Sequence, residues 1–517
     1  MKKQILFIST FFLFTIRASF AQPGILDCDF DADGKVTTDF NMTDDEGKAL
    51  AIQTDQKIVV GGFSYNGMDD DFTLVRYNID GTLDNSFGDD GKVMTDIDND
   101  DYIYDLAIQP DGKIIAAGYT EPGTNYVMTL VRYNTDGTLD NSFNSGGIVF
   151  VNVGHDNPCL SIALQDDGKI VAAGYYYNGS DRDFTIARFN SDGSQDVSFG
   201  ENGIVTTIIG AEDETAASVA IQSDDKIIIA GYYDNGTDDD IVLARFNSDG
   251  KFDESFGENG IVKTPVGSSG DVAKAVVLQS DGKIVVAGYY NNGLDIDVAI
   301  LRYNTDGSLD DSFGMEGIET FPAGEGVDYT EDLILQQDDK ILATGFTFNG
   351  ANYDFFMVRC NTNGELDSDF GDEGIVFTSF GSSHDQGKKI AIQNNGRIVV
   401  AGWTNTGENN DFAVARYLSG LSLGIVNFSD QDQSMLIYPN PIYDKATLKY
   451  ELIENETIGI KLYDMQGQLV QSFISQEHRL AGQHEESLYI DNTIPAGCYL
   501  LVITNEAGNK GIQITIR

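Results

Sequence analysis

A phrase of six residues, Leu-Asp-x-Ser-Phe-Gly, recurs with small changes along most of the chain. Its phenylalanine returns every 56 or 57 residues, at Phe30, Phe87, Phe143, Phe199, Phe256, Phe313 and Phe370. An arginine that ends an apolar alternating run keeps the same period, at Arg76, Arg132, Arg188, Arg245, Arg302, Arg359 and Arg416. An aromatic residue after Ala-Gly or its equivalent does so as well, at Phe63, Tyr119, Tyr175, Tyr232, Tyr289, Phe346 and Trp403. Each of the three markers occurs seven times, which predicts seven copies of one structural unit.

Each unit contains four strand-like segments, which we label a, b, c and d. In the unit that spans residues 105 to 151 they are Asp105–Gln109, Lys113–Gly118, Met128–Asn134 and Thr138–Phe143. Asp-Gly pairs between apolar runs favour tight hairpin turns, because the central residues of those turns need positive φ. The sequence therefore predicts antiparallel four-stranded sheets.

Seven such sheets predict an all-β fold, a seven-bladed β-propeller. Radial stacking covers both faces of each sheet, whereas a single four-stranded sheet is marginal alone. A linear solenoid is the alternative, but it would need distinctive capping repeats, and the sequence offers none.

The two ends of the array predict how the propeller closes. Ile25–Phe30 reads as a d strand without its own a, b and c, and Arg416-Tyr417 ends a c strand that no d strand follows. We therefore expect the N-terminal strand to complete the last blade. The arginine of c and an aspartate of d stand eight residues apart in every internal unit, as in Arg76 and Asp84, so the seventh pair should join Arg416 to Asp27.

These repeats resemble a known family. Gln-x-Asp-Gly-Lys-Ile-Val-Val-Ala-Gly at 279–288 and Arg-Tyr-Asn-x-Asp-Gly-Ser-Leu-Asp-x-Ser-Phe-Gly at 302–314 are similar to the delta-60 repeat. The resemblance implies a propeller at residues 22–418, in a family that has no assigned general biochemical function.

The residues after the array follow a different pattern. Ser419–Ser434 reads as a linker, and 435–517 as short strands of a small immunoglobulin-like β-sandwich. Tyr438-Pro439-Asn440-Pro441, the Leu462-Tyr463-Asp464 turn and Pro495-Ala496-Gly497 resemble the C-terminal sorting domain of the type IX secretion system. That resemblance implies export by this machinery and removal of the domain, with the product released or anchored at the surface. An accessory sandwich without a sorting role is the alternative.

The start of the chain predicts a signal peptide over residues 1–21. Lys2 and Lys3 precede an apolar run from Ile5 to Ile16, and Ser19-Phe20-Ala21 fits a cleavage site. We expect a monomer that is secreted or held at the outer cell surface, with no transmembrane segment in the mature chain. The formal charge of −50 argues against nucleic acid as a partner, because such partners need a basic surface.

No catalytic motif is found in the sequence, and no cofactor is certain. One short run suggests calcium: Asp29-x-Asp31-x-Asp33-Gly34 has the spacing of the first half of a calcium loop. Phe40 stands at the twelfth position in place of glutamate, so the run is alternatively a variant of the repeated Phe-Gly-Asp-Asp-Gly turn.

The loops between b and c are the predicted binding surface. They are rich in aromatic residues and amides, which suit sugar or peptide recognition, and their candidate ligand-binding residues are Tyr65, Tyr176, Tyr233 and Tyr290. Packing between blades is the alternative for the first aromatic of each loop. The leading hypothesis is a non-catalytic binding or adhesion propeller with a glycan or protein ligand. The alternative is an extracellular enzyme that acts on polysaccharide with its site in the propeller funnel.

Overall fold

The computed structural model describes residues 23–40, 43–210 and 212–420, and in the C-terminal part 436–438, 442, 445–452, 455–463, 469–491, 494–495, 497–505 and 508–516. The predicted signal peptide and almost all of the predicted linker lie outside the described residues. The chain divides into two compact units between Leu421 and Ser422. A search of the described residues finds no helix with the length and apolarity that a membrane span requires.

Seven antiparallel sheets of four strands each make up the described part of the first unit. In chain order the strands are β1 (Lys35–Thr38), β2 (Asp45–Ile52), β3 (Ile58–Tyr65), β4 (Asp70–Tyr77), β5 (Lys92–Thr95), β6 (Asp101–Ile108), β7 (Ile114–Thr120), β8 (Val127–Tyr133), β9 (Ile148–Val151), β10 (Cys159–Leu164), β11 (Ile170–Tyr177), β12 (Arg182–Phe189), β13 (Ile204–Thr207), β14 (Glu214–Ile221), β15 (Ile227–Asp234), β16 (Asp239–Phe246), β17 (Ile261–Thr264), β18 (Asp271–Leu278), β19 (Ile284–Asn291), β20 (Ile296–Tyr303), β21 (Ile318–Phe321), β22 (Asp328–Leu335), β23 (Ile341–Phe348), β24 (Tyr353–Cys360), β25 (Ile375–Thr378), β26 (Asp385–Ile392), β27 (Ile398–Asn405) and β28 (Asn410–Tyr417). Blades 1 to 6 take four consecutive strands each, from β2 to β25, and blade 7 is β26, β27, β28 and β1. These are the seven blades of the predicted propeller.

The second and third strands of each blade are apolar at nearly every position, because neighbouring blades cover both of their faces. In blade 4, β15 is buried at six of its eight residues and β16 at seven. The first strands lie innermost. Each contacts the first strand of the next blade, and β26 contacts β2.

The predicted d strands are wrong. Thr138–Phe143 is a turn in which only Leu139 bridges back to Tyr133, and the fourth strand of blade 2 is β9, which begins after Gly147. Side chains explain the difference: Asp140 Oδ1 accepts hydrogen bonds from the backbone N–H and the hydroxyl of Ser142. Such local bonds compete with a strand ladder. A short 3₁₀ turn, Phe143–Ser145, follows in blade 2.

The same correction applies at the start of the chain. Ile25–Phe30 is not a strand, although Leu26 bridges to Tyr417. The fourth strand of blade 7 is β1, which pairs with β28 so that Val36 lies opposite Val414.

The repeated arginine bonds its aspartate in every blade. Arg76 Nε donates to Asp84 Oδ2 at 2.7 Å, and at the ends of the array Arg416 Nε donates to Asp27 Oδ2 at 2.9 Å across 389 positions of sequence. The guanidinium lies over the repeated phenylalanine, 4.3 Å from the Phe87 centroid in blade 1. Its Nη1 donates to a carbonyl of the next blade, at Thr135 for Arg76. The arginines therefore link each blade to its neighbour.

The C-terminal unit is a β-sandwich of two sheets. Its strands are β29 (Leu436–Tyr438), β30 (Lys445–Leu452), β31 (Glu456–Tyr463), β32 (Leu469–Arg479), β33 (Gly482–Tyr489), β34 (Gly497–Asn505) and β35 (Gly508–Ile516). One sheet has the order β29-β30-β33 and the other β32-β31-β34-β35. Leu448 and Leu488 of the first sheet pack in one core with Ile460 and Leu501 of the second.

Candidate binding funnel

A β-bulge interrupts the first strand of every blade at the same place, and the extra residue leaves the ladder. A bulge re-aims its side chain, here towards the centre around which the first strands lie. The seven bulge residues are half-buried, and they are Lys48, Tyr104, Leu160, Ala217, Lys274, Glu331 and Lys388.

One residue beyond the bulge, a charged cluster fills the centre. Lys389 Nζ of blade 7 lies 3.8 Å from Asp105 Oδ1 of blade 2 and 4.0 Å from Asp332 Oδ1 of blade 6. Although burial opposes it, these two carboxylates raise the pKa of Lys389. The three residues come from blades 2, 6 and 7, so the cluster lies where the first strands converge; we call it the floor of the funnel, and the funnel is the centre of the propeller on the side where the first strands begin.

The bulge residues form the next layer above this floor. Lys388 Nζ lies 2.7 Å from Glu331 Oε1, and Lys274 Nζ lies 3.7 Å from Glu331 Oε2. Although burial opposes it, the ammonium groups of Lys388 and Lys274 lower the pKa of Glu331 to about 2. Lys48 Nζ also pairs with Glu46 Oε2 at 2.5 Å, so three lysines face two glutamates in a chain whose net charge is −50. The lysines are therefore a local excess of one positive charge, above a floor that holds one lysine and two aspartates.

The repeated aromatic residues form the layer above the lysines, one from each second strand. In the register of β2 and β3, Phe63 lies opposite Glu46, which precedes Lys48 by two residues in β2. Phe63 is therefore one layer nearer than Lys48 to the face where the first strands begin. Lysines reach up to these rings: Lys388 Nζ is 4.4 Å from the Phe346 centroid, and Lys274 Nζ is 5.9 Å from that of Tyr289. The tyrosines of this layer are half-buried, and they are Tyr119, Tyr175, Tyr232 and Tyr289.

This arrangement suits recognition of a flat, charged ligand. Aromatic faces stack against the apolar face of a sugar ring, and ammonium groups pair with a carboxylate or sulfate. Glu331 is held ionised by its lysines, so it is unsuited to act as a general acid near neutral pH. The indole N–H of Trp403 is buried and has no hydrogen-bond partner among the described residues.

The predicted ligand-binding tyrosines do not form one equivalent set. Tyr65 is 38% exposed, Tyr176 and Tyr290 are half-buried, and Tyr233 is 8% exposed, with its hydroxyl 3.3 Å from Asp240 Oδ2. Tyr233 is therefore the least accessible of the four candidate ligand-binding residues. In the repeat, Tyr176, Tyr233 and Tyr290 correspond to Ser64, one position before Tyr65, and successive residues of a strand point to opposite faces.

Sequence reasoning missed the funnel lysines. Lys48, Lys274 and Lys388 occupy equivalent positions of the repeat in a chain with few basic residues. That shared position is the sequence signal that could have identified them. Their convergence depends on the bulges, which no local pattern indicates.

The predicted calcium residues lie in a turn. Asp31, at φ 44°, takes the place that Gly88 holds in blade 1, and its N–H donates to Asp80 O at 2.8 Å. Asp33 Oδ1 accepts the N–H of Lys35 at 2.9 Å. Burial, followed by the charge of Asp27, raises the pKa of Asp29 to about 6. Within the described ranges, the sets of three carboxylates with oxygens inside 4.8 Å of one another lie elsewhere. The geometry supports the alternative, a variant of the repeated turn.

Comparison with known families supports both units. Seven segments match the family described as "Domain of unknown function (DUF5122) beta-propeller", at residues 53–87, 109–143, 165–199, 222–256, 279–313, 336–370 and 393–423. The name delta-60 repeat stays a prediction. Residues 436–517 match the "Secretion system C-terminal sorting domain". A search of the curated proteins finds no similar sequence.

Solved structures share only a general likeness with the chain. Polysaccharide lyase Uly1 aligns at 11% identity and a TM-score of 0.43, over 72% of this chain and 90% of its own. Sqt1 from Chaetomium thermophilum aligns at 13% identity and 0.38, over 73% and 97%. Drosophila Semaphorin 2a aligns at 6% identity and 0.42, over 96% and 99%. Similarity at this level carries no functional argument.

The sorting domain determines the destination of the chain. It directs export by type IX secretion to the cell surface or the extracellular space, and it implies interaction with the secretion machinery. The chain is therefore an exported β-propeller protein with seven matches to this repeat of unknown function, followed by a secretion system C-terminal sorting domain.

Proposed function

We propose that the propeller is a non-catalytic binding module that takes an anionic carbohydrate in its central funnel. The lysine layer carries this proposal. Three lysines against two glutamates lie beside the aromatic layer in a protein that is otherwise strongly acidic.

The charge of the funnel selects the ligand class. The acidic surface repels a polyanion at long range, so binding depends on short-range pairing with Lys48, Lys274 and Lys388. The aromatic layer favours a ligand with flat apolar faces between its polar groups, as a sugar chain has. A polysaccharide that contains uronate or sulfate combines both features.

Binding to arrayed polysaccharides tests the proposal, with the chain from Gln22 onwards. Acidic polysaccharides should bind and neutral ones should not, and added salt should weaken binding because the pairing is ionic. Lys274→Gln should weaken binding by about tenfold, which corresponds to about 1.4 kcal/mol. Lys251→Gln is the matched control, because Lys251 is exposed on a connection between third and fourth strands, at the opposite face.

Three outcomes would contradict the proposal. Equal binding by both variants would remove the funnel as the site. Binding to a protein ligand alone would replace the carbohydrate. Release of shortened or unsaturated sugar products would favour the alternative, an extracellular enzyme that acts on polysaccharide.

A further inference from the structure

Pairs of carboxylates recur where one blade meets the next, on the face where the funnel opens. The first member is the first residue of the first strand, and the second member is the second residue of the third strand of the preceding blade. Six of the seven first strands begin in this way, with Asp45, Asp101, Glu214, Asp271, Asp328 and Asp385. The third-strand partners are Asp411, Asp71, Asp183, Asp240, Asp297 and Asp354 in the same order. The junction of blades 2 and 3 has Val127 and Asn157 instead.

Asp101 and Asp45 have a structural task for which one carboxylate oxygen is enough. Asp101 Oδ2 accepts the N–H of Ile97 at 2.8 Å, and Asp45 Oδ2 accepts the N–H of Phe40 at 2.6 Å. These bonds hold the connection that enters the blade. The Oδ1 atoms of Asp101 and Asp45 are buried and make no hydrogen bond of normal geometry, although the hydroxyls of Thr120 and Ser64 act on these carboxylates.

A third carboxylate joins the pair on both sides of blade 1. It is the residue directly after the fourth strand, Asp96 after β5 and Asp39 after β1. One carboxylate oxygen from each of Asp71, Asp96 and Asp101 lies within 4.8 Å of the others, and the same holds for Asp39, Asp45 and Asp411. At the other junctions that position is Asn152, Ile208, Pro265, Pro322 or Ser379.

Two members of the first set have unpartnered oxygens. Asp101 is 0% exposed and Asp71 is 2% exposed, and the Oδ1 atom of each lacks a hydrogen-bond partner. Because both oxygens of a carboxylate are bonded to one carbon, each unpartnered atom lies at or directly beside the point where the set converges. Burial of a carboxylate oxygen without a donor is costly, so these atoms indicate a missing positive partner.

The charged groups that act most strongly on Asp71 and Asp101 are other aspartates, so they do not supply a positive partner. The charged groups that act most strongly on Asp71 are Asp96, Asp69 and Asp70, and on Asp101 it is Asp71. Around the second set one lysine is present: Lys92 Nζ donates to the backbone oxygen of Asp39 at 2.6 Å, and its charge also acts on Asp411. The first set is therefore the one with the greater need of a cation.

Tyrosine distinguishes three of the other junctions, whereas at the junction of blades 6 and 7 the position opposite Asp354 is Thr347 and Ser379 replaces the third carboxylate. In blade 4 the Tyr233 hydroxyl lies within reach of Asp240, and Tyr176 and Tyr290 hold the corresponding positions of blades 3 and 5. At the two three-carboxylate sets this position is Ser64 or Thr404, which leaves space beside the third-strand aspartate.

We propose that Asp71, Asp96 and Asp101 bind one calcium ion and that Asp39, Asp45 and Asp411 bind a second. Calcium takes oxygen ligands at about 2.3–2.6 Å, so two ligands on opposite sides of the ion are about 4.8 Å apart, which accommodates the observed spacing. Magnesium binds at about 2.0–2.1 Å and requires a tighter octahedral arrangement. The first ion links blades 1 and 2, and the second links β1, β2 and β28. The proposal is independent of the ligand proposed for the funnel.

Calcium binding to the chain from Gln22 onwards, stripped with a chelator, tests the proposal. Equilibrium dialysis at pH 7.5 should find two ions per chain, with a dissociation constant of about 0.1–1 mM, as in extracellular calcium modules. Asp96→Asn and Asp39→Asn should each lose one ion, and the double variant should lose both. Calcium should raise the melting temperature of the unmodified chain and not that of the double variant, because only a bound ion stabilises the folded state.

Two variants serve as controls. Asp98→Asn makes the same change in the same connection as Asp96→Asn, outside the set, and should keep both ions. Asp33→Asn should also keep both, which separates these sites from the Asp29–Asp33 run. Asp96 and Asp39 are exposed, so their variants should keep the circular dichroism spectrum of the unmodified chain.

Three results would overturn the proposal. The chain could bind no calcium at 5 mM, which would show that neither carboxylate set is a calcium site. The double variant could retain two ions, which would place the sites elsewhere. Magnesium could displace calcium at equal concentration, which would overturn the identity of the ion.

Discussion

The repeated arginine shows how much one buried residue does in this fold. In blade 4, Arg245 Nε donates to Asp253 Oδ2 at 2.8 Å, Nη1 donates to Thr305 O of blade 5 at 2.6 Å, and the guanidinium stacks 4.4 Å from the Phe256 centroid. The spacing of eight residues predicts the pairing with aspartate. It does not predict the bond to the next blade, because that partner is 60 residues away.

Replacement of this arginine tests its contribution to stability. Arg245→Ala should lower the free energy of unfolding by about 3 kcal/mol, because it leaves the buried Asp253 carboxylate with only Lys226 as a cationic partner at 3.5 Å. Denaturant titration would measure the change. Lys251→Ala removes an exposed ion pair with Asp249 from the same blade and should leave the free energy of unfolding nearly unchanged, because water screens the pair. Equal costs for the two variants would contradict a structural role for the buried pair.

The connection between the third and fourth strands is the element in which the sequence reading and the structure differ most. The segment Leu-Asp-x-Ser-Phe alternates as a strand does and follows an Asp-Gly turn, so it predicts a strand. Its polar side chains instead bond the local backbone, and Gly257 at φ 52° donates its N–H to Asp306 O of the next blade at 2.8 Å. The real fourth strands are short outer strands of four residues.

Glycine substitutions test this description of the connection. A Cβ at position 257 would lie 2.4 Å from Ile261 O, whereas at Gly236, also at positive φ, it would meet nothing within 4 Å. Gly236→Ala should cost about 1 kcal/mol from backbone strain alone, and Gly257→Ala about 3 kcal/mol because the clash adds to it. Thermal melting of both variants would measure the difference. Similar melting temperatures for the two variants would show that the connection can rearrange around a Cβ at position 257 at little cost in stability.

At the scale of the whole molecule, the two ends of the array share blade 7. Asp27 is completely buried and accepts from both Arg416 Nε and Arg397 Nε at 2.9 Å, and β1 pairs with β28. Closure of the propeller by this N-terminal segment stays a prediction. It implies that a substitution which destabilises the N-terminal segment also destabilises the strands of blade 7.

Hydrogen exchange on one variant tests that implication. Asp27→Ala leaves two arginines without their carboxylate, so it should cost about 3 kcal/mol. Exchange should then accelerate by roughly 100-fold in both Lys35–Thr38 and Asn410–Tyr417. Asp253→Ala makes the matched change within blade 4 and should accelerate exchange only there. Acceleration confined to the N-terminal segment would contradict closure.

The sequence alone determines the count and type of the blades and the identity of the sorting domain, because these follow from short patterns that repeat or match locally. It also determines that the array starts and ends with incomplete units. Tertiary structure decides which residues meet. The funnel lysines, the Lys389 cluster and the carboxylates around Asp101 each come from two or more blades, about 57 residues apart in sequence, so only radial packing brings them together. It also decides that Leu-Asp-x-Ser-Phe is a turn, because the bonds that hold it there go to side chains and to the neighbouring blade.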